Sequence, residues 1–402
     1  MLFLGIDLHL RQMTISLRNQ GGDVLLRRQV STRWPKLEEF REQLRQVAAG
    51  DEKYVAILEV CGFHDWLVKW LHQDARCQLV LVVQPLGRSA TKTDRRDAHA
   101  LSELLWINRE RLLRGDRVHG MRTVHVPGEE QMADRRLTSM RERLVRRRTQ
   151  TINQIHKILR RQNREWDRPT KTFQTQKVAA WLTRLELEPM DRLLLNQLLV
   201  QWQLWEEQIV KVDAQIAQRW LTNGDAQLLA TIPGVNMYIA LAIASRVAPI
   251  ERFPHGRSLA NFLGLTPGCR SSGETERMGS ITKMGSRLVR FLLGQVVLHL
   301  LRRDGTVRAW YQRIKRRRGT NIARVALMRR TVTIMWRMLT TREAWRPGSA
   351  NAGAEAAEVP RKVRPRRGRR TVWSALSQAA PHAESTGSSS LLTSEEVTPC
   401  QA

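Results

Sequence analysis

The sequence predicts an α/β domain followed by a mostly helical second half. Three observations support this prediction: short apolar strands alternate with helix-like segments over the first hundred residues, helical periodicity dominates afterwards, and the last segment is rich in Ala, Glu, Ser and Gly. We expect four parts in order along the chain. They are an α/β domain at 1–125, a helical arm at 126–222, a mostly α domain at 223–346, and a disordered basic and polar tail at 347–402.

The first part shows strand and helix patterns in a definite order. Apolar or alternating runs predict three strands, and the QGGD stretch at 20–23 predicts the turn between the second and third. A helix, a buried strand, a second helix and another strand follow, and Asp94 opens a further helix. The predicted strands are 2–6, 13–17, 24–30, 54–60 and 78–83, and the predicted helices are 34–48 and 64–73.

Four acidic residues stand where these elements end or begin. Asp7 ends the first strand, Glu59 ends the buried strand YVAILE, and Asp94 and Asp97 lie three residues apart at the start of a helix. In this order of elements the first and fourth strands can be neighbours, which would bring Asp7 and Glu59 together beside that helix. Clustered carboxylates repel one another unless a cation lies between them. Arg95, Arg96 or a divalent metal could supply it, and oxygen ligands favour Mg²⁺ in a site for phosphodiester chemistry.

The second half contains two long helical patterns and two turn-rich motifs. Apolar residues recur at threes and fours at 131–166 and 177–220, which predicts two long antiparallel helices, either an arginine-rich arm or an ordinary helical core. Leu228 to Val235 reads LLATIPGV, a helix-hairpin-helix pattern in which backbone N–H groups around Gly234 can bind phosphate. The stretch 261–293, rich in Gly, Ser and Thr, lies between helical segments, and residues 313–345 form a basic helical pattern.

Charge restricts the classes of partner. The chain of 402 residues contains 67 Lys and Arg against 38 Asp and Glu, a formal net charge of +29, which favours nucleic acid over an acidic membrane surface as the partner. No apolar run approaches the ~18 residues of a membrane span. MLFLGID lacks the features of a signal peptide, and four scattered cysteines indicate neither a metal site nor a disulfide framework. We therefore expect a cytoplasmic protein.

Two motif sets resemble those of a known family. GID at 5–7, Glu59 and KTDRRDA at 92–98, followed by IPGV at 232–235, LGLTPG, SSG and GSITK, resemble the DEDD transposases of the insertion sequence 110 family, relatives of the Piv-type DNA invertases. The resemblance implies a RuvC-like (ribonuclease-H-like) N-terminal domain, a long coiled-coil arm and a C-terminal transposase domain with a nucleophilic serine. It also implies the tetrad Asp7, Glu59, Asp94 and Asp97 as metal ligands, with Ser272 as the nucleophile and Ser271 as the alternative. His9 stands where relatives often carry a lysine.

The family chemistry would be RNA-guided cutting and rejoining of element DNA. A structured non-coding RNA from the flank of the element would be the guide, and a homodimer or homotetramer in the prokaryotic nucleoid would hold the DNA ends. Cationic residues near the serine could stabilise the phosphate: Arg270, Lys283, Arg287 and Arg290. Two alternatives stay open at this point. They are a metal-only endonuclease of the Holliday-junction type, and a non-catalytic nucleic-acid-binding protein.

Overall fold

The computed structural model describes residues 1–47, 52–84, 94–114, 116, 118, 120–272 and 275–346, without the side chains of 94, 95, 269–272 and 275–278. The chain forms two compact units that meet in sequence at Pro127 and Gly128. The arm and the C-terminal domain expected from the sequence both belong to the second unit, and the boundary between them stays a prediction. The expected tail at 347–402 lies outside the described residues.

The described residues of the first unit form six strands and four helices. The strands are β1 (Leu2–Leu8), β2 (Gln12–Arg18), β3 (Val24–Ser31), β4 (Tyr54–Glu59), β5 (Cys77–Val83) and β6 (Thr123–Val124). The helices are α1 (Trp34–Val47), α2 (Asp65–His72), α3 (Asp94–Ile107) and α4 (Arg109–Arg114). The five strands and three helices expected from the sequence are confirmed to within two residues wherever the structure describes them, whereas β6 and α4 were not predicted.

One mixed sheet organises this unit. Its strand order is β3-β2-β1-β4-β5-β6, with β1, β4 and β5 parallel to one another and β2, β3 and β6 antiparallel to their neighbours. The prediction that the first and fourth strands are neighbours is therefore confirmed. The parallel pairing follows from the crossover through α1, which returns the chain to the edge of β1.

Alternate residues of the central strands face two different apolar layers. Leu4 and Ile6 of β1 pack with α1 and α2, whereas Phe3 shares a second cluster with Leu101 and Leu105 of α3. This alternation is the two-residue period of a strand, and burial on both sides explains why β1 is apolar at nearly every position. Helix α3 supplies the buried side chains that cover this second face, and Leu112 of α4 packs against the same cluster.

The second unit contains nine helices and one hairpin among its described residues. The helices are α5 (Glu129–Arg161), α6 (Gln176–Arg184), α7 (Pro189–Leu221), α8 (Gly224–Leu229), α9 (Met237–Val247), α10 (Gly256–Phe262), α11 (Arg287–Arg303), α12 (Gly305–Arg318) and α13 (Thr320–Thr341). The hairpin strands are β7 (Pro267–Ser272) and β8 (Thr275–Ile281). No described helix is both long enough and apolar enough to cross a membrane.

Helices α5 and α7 run antiparallel, and arginine–carboxylate pairs mark their register. The pairs join Arg161 to Asp191, Arg148 to Glu206, Arg141 to Asp213 and Arg219 to Asp134. The two residue numbers in every pair add to nearly the same value, as two antiparallel helices require. One end of this helix pair, at Leu144 and Ile209, shares a core with the C-terminal helices. The other end, at Ile155 and Leu199, has its own core with Phe173 and Trp202.

Two helical predictions need correction at chain-breaking residues. The pattern at 177–220 contains two helices, because residues 185–188 are not helical and Pro189 starts α7 at a position where its missing N–H is not needed. The pattern at 313–345 likewise covers α12 and α13, which are separated at Gly319 with a φ of +83°. A left-handed φ ends a helix and is available to glycine at little cost.

Candidate functional site

Asp7 and Glu59 occupy equivalent positions at the ends of neighbouring parallel strands. The pairing of β1 with β4 ends at Ile6 opposite Leu58, so Asp7 and Glu59 are the next residues of each strand. Adjacent strands lie about 4.8 Å apart. Phe3 of β1 and Ile57 of β4 face α3, and Asp7 and Glu59 lie an even number of residues further on, so they are on the same face of the sheet. Both side chains are only partly exposed. The structure therefore brings these two predicted site residues together.

Helix α3 begins at the same edge of the sheet. The carbonyl oxygen of Ala98 and the backbone of Ser102 lie so close to Gly5 that a Cβ built there would be 2.3 Å from that oxygen. Asp97 precedes Ala98 in the first turn of α3, and its side chain is half-buried. Asp94 is the first residue of the helix, and its side chain lies outside the described residues. The side chains of three of the four predicted acids thus lie at or near one edge of the sheet. For Asp94 the structure describes only the backbone, which lies at the start of α3.

Two histidines lie beside the acids. The Nε2 atom of His9 is 3.1 Å from Oδ2 of Asp7. The Nδ1 atom of His64 lies 2.5 Å from the carbonyl oxygen of Cys61, so this ring is held by its own loop. His9 therefore contacts one of the predicted carboxylate ligands directly.

A buried hydrogen-bond network around Arg18 joins β2 to α3, and it was not predicted. Arg18 on β2 donates to the hydroxyl of Ser102 at 3.2 Å, to the carbonyl oxygen of Gly22 at 2.7 Å and to Nε2 of His99 at 2.9 Å. The hydroxyl groups of Ser16 and Ser102 are also hydrogen-bonded, at 2.9 Å. Burial, followed by the charge of Arg18, lowers the pKa of His99. The only sequence signal was an arginine inside an otherwise apolar strand pattern.

The donor chemistry of the acidic edge fits a hard divalent cation. Asp7 and Glu59 at the ends of two neighbouring strands and Asp97 in the first turn of α3 offer carboxylate oxygens, which Mg²⁺ prefers. Among the side chains that the structure describes, no group of three or more His, Cys, Asp and Glu is arranged to hold a metal. The fourth acid, Asp94, falls outside that search. The residue types fit the ion, and the ligand set itself stays a prediction.

Ser271 and Ser272 lie at the end of the first strand of a hairpin. Ser272 pairs with Thr275 and Ser271 with Glu276, so Ser272 is the last residue of β7 before the loop. The stretch 261–293 had been described only as rich in Gly, Ser and Thr, and the hairpin was not predicted. The side chains of both serines and of Arg270 lie outside the described residues. A hairpin end is a position where a hydroxyl can reach a substrate strand.

Close backbone packing supports the base of this hairpin. Gly264 and Gly285 have φ values of +68° and +79°, and a Cβ at either one would lie 2.1 Å from a carbonyl oxygen of the opposite segment. Arg290 donates from Nη1 to the carbonyl oxygens of Leu263, Met284 and Gly285 at 3.1, 2.8 and 3.1 Å. Burial, followed by the neighbouring charge of Arg287, lowers the pKa of Arg290. Arg290 thus ties the hairpin base to α11.

The other predicted phosphate-binding residues differ in their surroundings. Lys283 and Arg287 are exposed near the hairpin base, and Lys283 has a left-handed φ of +55°. Gly234 lies in the turn between α8 and α9 with a φ of +92°, and a Cβ there would lie 2.4 Å from Cβ of His299. The left-handed φ and the contact with His299 explain why this position holds glycine.

Two family models match the chain. A transposase model of the DEDD type from the IS110 group matches residues 4–163, which include the acidic edge of the sheet. A model described as "Transposase IS116/IS110/IS902 family" matches residues 226–312, which include the α8–α9 turn and the serine hairpin. Together these matches cover more than half of the chain.

Similar full-length proteins come from several bacteria. The chain is 27% identical over 354 residues to the transposase for insertion sequence element IS1111A of Coxiella burnetii, covering 86% of this chain and 92% of that protein. It is 24% identical over 341 residues to the transposase for insertion sequence element IS1328 of Yersinia enterocolitica, covering 84% of this chain and 96% of that protein. The similarity therefore extends over both units.

Proposed function

The chain belongs to the IS116/IS110/IS902 family of DNA transposases, and from this premise we propose that it cuts and rejoins insertion-element DNA with an acidic tetrad and a serine nucleophile. The observation that supports the tetrad is the adjacency of Asp7 and Glu59 at one sheet edge, where α3 begins with Asp94 and Asp97. We propose a RuvC-like fold for this unit and a coiled-coil arm for α5 and α7. The strand order and the antiparallel arginine–carboxylate register support these two assignments.

Asp7, Glu59, Asp94 and Asp97 would hold Mg²⁺ as carboxylate ligands. The bound ion would supply charge stabilisation for the phosphate and would make a hydroxyl group a better nucleophile. The protein contributes the placement: two acids come from rigid neighbouring strands, and two come from a helix fixed to the sheet at Gly5. His9, 3.1 Å from Asp7, would orient that carboxylate.

Ser272 would provide the attacking oxygen, with Ser271 as the alternative. In this step the serine hydroxyl loses its proton, Oγ forms a bond to the scissile phosphorus, and the bond from phosphorus to the departing DNA oxygen breaks. The departing oxygen takes up a proton, and the number of phosphodiester bonds is conserved. A second DNA hydroxyl then reverses the exchange, so that rejoining needs no external energy. Arg270, Lys283 and Arg287 would stabilise charge on the phosphate, and Arg290 would hold the hairpin in place.

The proposed partners are DNA ends and a guide RNA. The net charge of +29 supports binding to phosphate backbones, and the turn at Gly234 is a proposed phosphate contact. We propose that a structured non-coding RNA encoded by the element selects the DNA. We also propose a homodimer or homotetramer, because recombination joins four DNA ends.

The test is a denaturing gel of labelled element-junction DNA incubated with Mg²⁺, the flank RNA and the full chain. We expect wild type to give a protein-linked DNA band that is absent from Asp7→Asn and Ser272→Ala. Glu39→Gln, which removes one exposed carboxylate on α1, should behave as wild type. If the linked band persists in Ser272→Ala and disappears in Ser271→Ala, the nucleophile is Ser271.

The gel also separates the proposal from a metal-only endonuclease of the Holliday-junction type. That enzyme would cut DNA without a protein-linked band, and Ser272→Ala would leave cutting unchanged. Such a result would contradict the serine nucleophile and would remain consistent with metal binding by the four acids.

A further inference from the structure

The last two described helices have an excess of positive charge. Between Asp304 and Glu343 the chain contains eleven Arg and Lys residues and no Asp or Glu. Elsewhere many arginines pair with a carboxylate of the same unit, as Arg148 and Arg141 do on α5. A segment that concentrates cations without local counter-charges repels itself, so its composition points to an external polyanion.

Several of these cations have a structural role. Arg308 donates to the carbonyl oxygens of Leu301 and Arg302 at the end of α11, and Arg330 stacks over the ring of Trp310 at 4.7 Å. Arg342 pairs with Asp225. These contacts within the second unit explain the three cations, so they are not evidence for an external partner.

A second group has no such role. It comprises six exposed cations around the turn between α12 and α13, here called the basic corner: Arg313, Lys315, Arg316, Arg317, Arg318 and Arg324. Within the described part of the chain, none of the six forms an ion pair. Cations do stabilise a helix C-terminus, by about 0.3–1 kcal/mol each, but the effect is confined to the last turn and does not require four in succession.

The basic corner stands on a well-packed support. Val307 and Tyr311 of α12 and Ala323 and Leu327 of α13 are buried in the C-terminal core. Gly319, with its left-handed φ of +83°, sets the turn between the two helices. The cations therefore project from two packed helices, which limits the ordering cost when they meet a partner.

We propose that the basic corner is a docking surface for the phosphate backbone of duplex DNA. The inference deepens the proposed function and rests on it, since the family acts on DNA. Its exposed side chains are cations rather than aromatic rings, which suits backbone contacts and not the base stacking of single strands. All six residues of the corner lie beyond residue 312, where the family match ends.

The experiment measures binding without cutting. Fluorescence anisotropy of a labelled 30-base-pair duplex is followed for the full chain in EDTA at several salt concentrations. For the triple variant Arg316→Gln, Arg317→Gln, Arg318→Gln, we expect affinity to fall about tenfold to a hundredfold at moderate salt. The slope of log K against log salt should become shallower by about 2 to 3, since each lost phosphate contact removes about 0.9. The matching Lys triple variant should keep the wild-type slope.

A matched control removes the same charge elsewhere. Lys36→Gln, Arg45→Gln, Arg164→Gln changes three exposed cations that each pair with a nearby carboxylate, and it should leave the slope unchanged. An equal loss in both triple variants would overturn the proposal, because net charge alone would then explain binding. It would also be overturned by an unchanged slope in the Arg316–Arg318 variant, or by a loss seen only with duplex RNA. Binding in EDTA is independent of the acids and the serine, so failure here is distinguishable from failure of the proposed cutting chemistry.

Discussion

At the scale of single residues, Gly5 determines how closely α3 approaches the sheet. A Cβ at this position would lie 2.3 Å from the carbonyl oxygen of Ala98 and 2.5 Å from the backbone nitrogen of Ser102. We expect Gly5→Ala to cost at least about 3 kcal/mol of stability, because backbone atoms cannot move aside as a flexible side chain can. The rate of DNA cutting should also fall at temperatures where Gly5→Ala is still folded, since α3 carries Asp94 and Asp97. Thermal unfolding and the junction-cutting gel measure the two effects.

The control for this prediction is Gly62→Ala. No heavy atom lies within 4 Å of a Cβ built at Gly62, and this position does not have a left-handed φ. An unfolding temperature in Gly5→Ala as high as in Gly62→Ala would contradict the close approach of α3 to β1.

Arg18 is the second residue that connects α3 to the sheet. Its three donated hydrogen bonds are to Ser102, Gly22 and His99, and its side chain is buried. We expect Arg18→Leu to lower stability by about 2–3 kcal/mol, because hydrogen bonds from a charged group are lost. The Mg²⁺ concentration needed for half-maximal cutting should rise in Arg18→Leu. In Arg18→Lys this concentration should lie between those of wild type and Arg18→Leu. Arg33→Leu, an exposed change between β3 and α1, is the control.

Asp74 should make the first unit sensitive to acid. Burial opposes ionisation of Asp74, but hydrogen bonds and charge from Arg76 outweigh it, and the pKa of Asp74 lies below its usual value. A lowered carboxyl pKa stabilises the fold above the unfolded-state pKa of about 4, and this contribution is lost as pH falls below it. We expect Asp74→Asn to be less stable than wild type by about 1–3 kcal/mol at pH 6, with a smaller difference at pH 3. Thermal unfolding at both pH values tests this, and a difference independent of pH would contradict it.

At the scale of elements, the α5–α7 pair depends on partly buried arginine–carboxylate contacts. Arg148 and Glu206 are each only 13% exposed, and Glu206 also accepts a hydrogen bond from Trp202 at 3.2 Å. We expect Glu206→Ala to cost about 3 kcal/mol, because it leaves Arg148 buried without a counter-charge. Glu142→Ala, whose partner Arg146 is exposed on the same helix, should cost less than about 1 kcal/mol.

A double-mutant cycle isolates the Arg148–Glu206 contact. Replacing both residues, Arg148→Leu with Glu206→Ala, should be less damaging than the sum of the single changes, since no unpaired charge then remains. Strictly additive free energies of unfolding would contradict a direct interaction.

At the scale of the whole molecule, the two units have separate cores. The clusters around β1 contain only residues before Pro127, and the remaining clusters contain only residues of the second unit. We therefore expect residues 1–127 to fold when expressed alone, with mixed α/β circular dichroism and a cooperative urea transition. The fragment Met1–Val83, which lacks α3, is the control and should be unfolded or aggregated, because the second face of its sheet is uncovered.

The sequence alone determined the order of most elements and the family. Strand periodicity and turn residues such as QGGD act over a few positions, so they were legible without the fold. The breaks at Pro189 and Gly319 were also local signals, although longer helices were predicted across them. The acids stood out because they end apolar strands or open a helix, a pattern that neighbouring residues define.

Only the tertiary structure decided which of these residues meet. The strand pairing that brings Asp7 close to Glu59 joins residues 52 apart, and the Arg18 network joins residues more than eighty apart. The hairpin at Ser272 depends on packing of Gly264 against Met284. The same holds for the basic corner: composition shows its charge, whereas burial and ion pairing distinguish the six free cations from those that stabilise the fold. Contacts between distant segments depend on three-dimensional packing, which local sequence patterns do not encode.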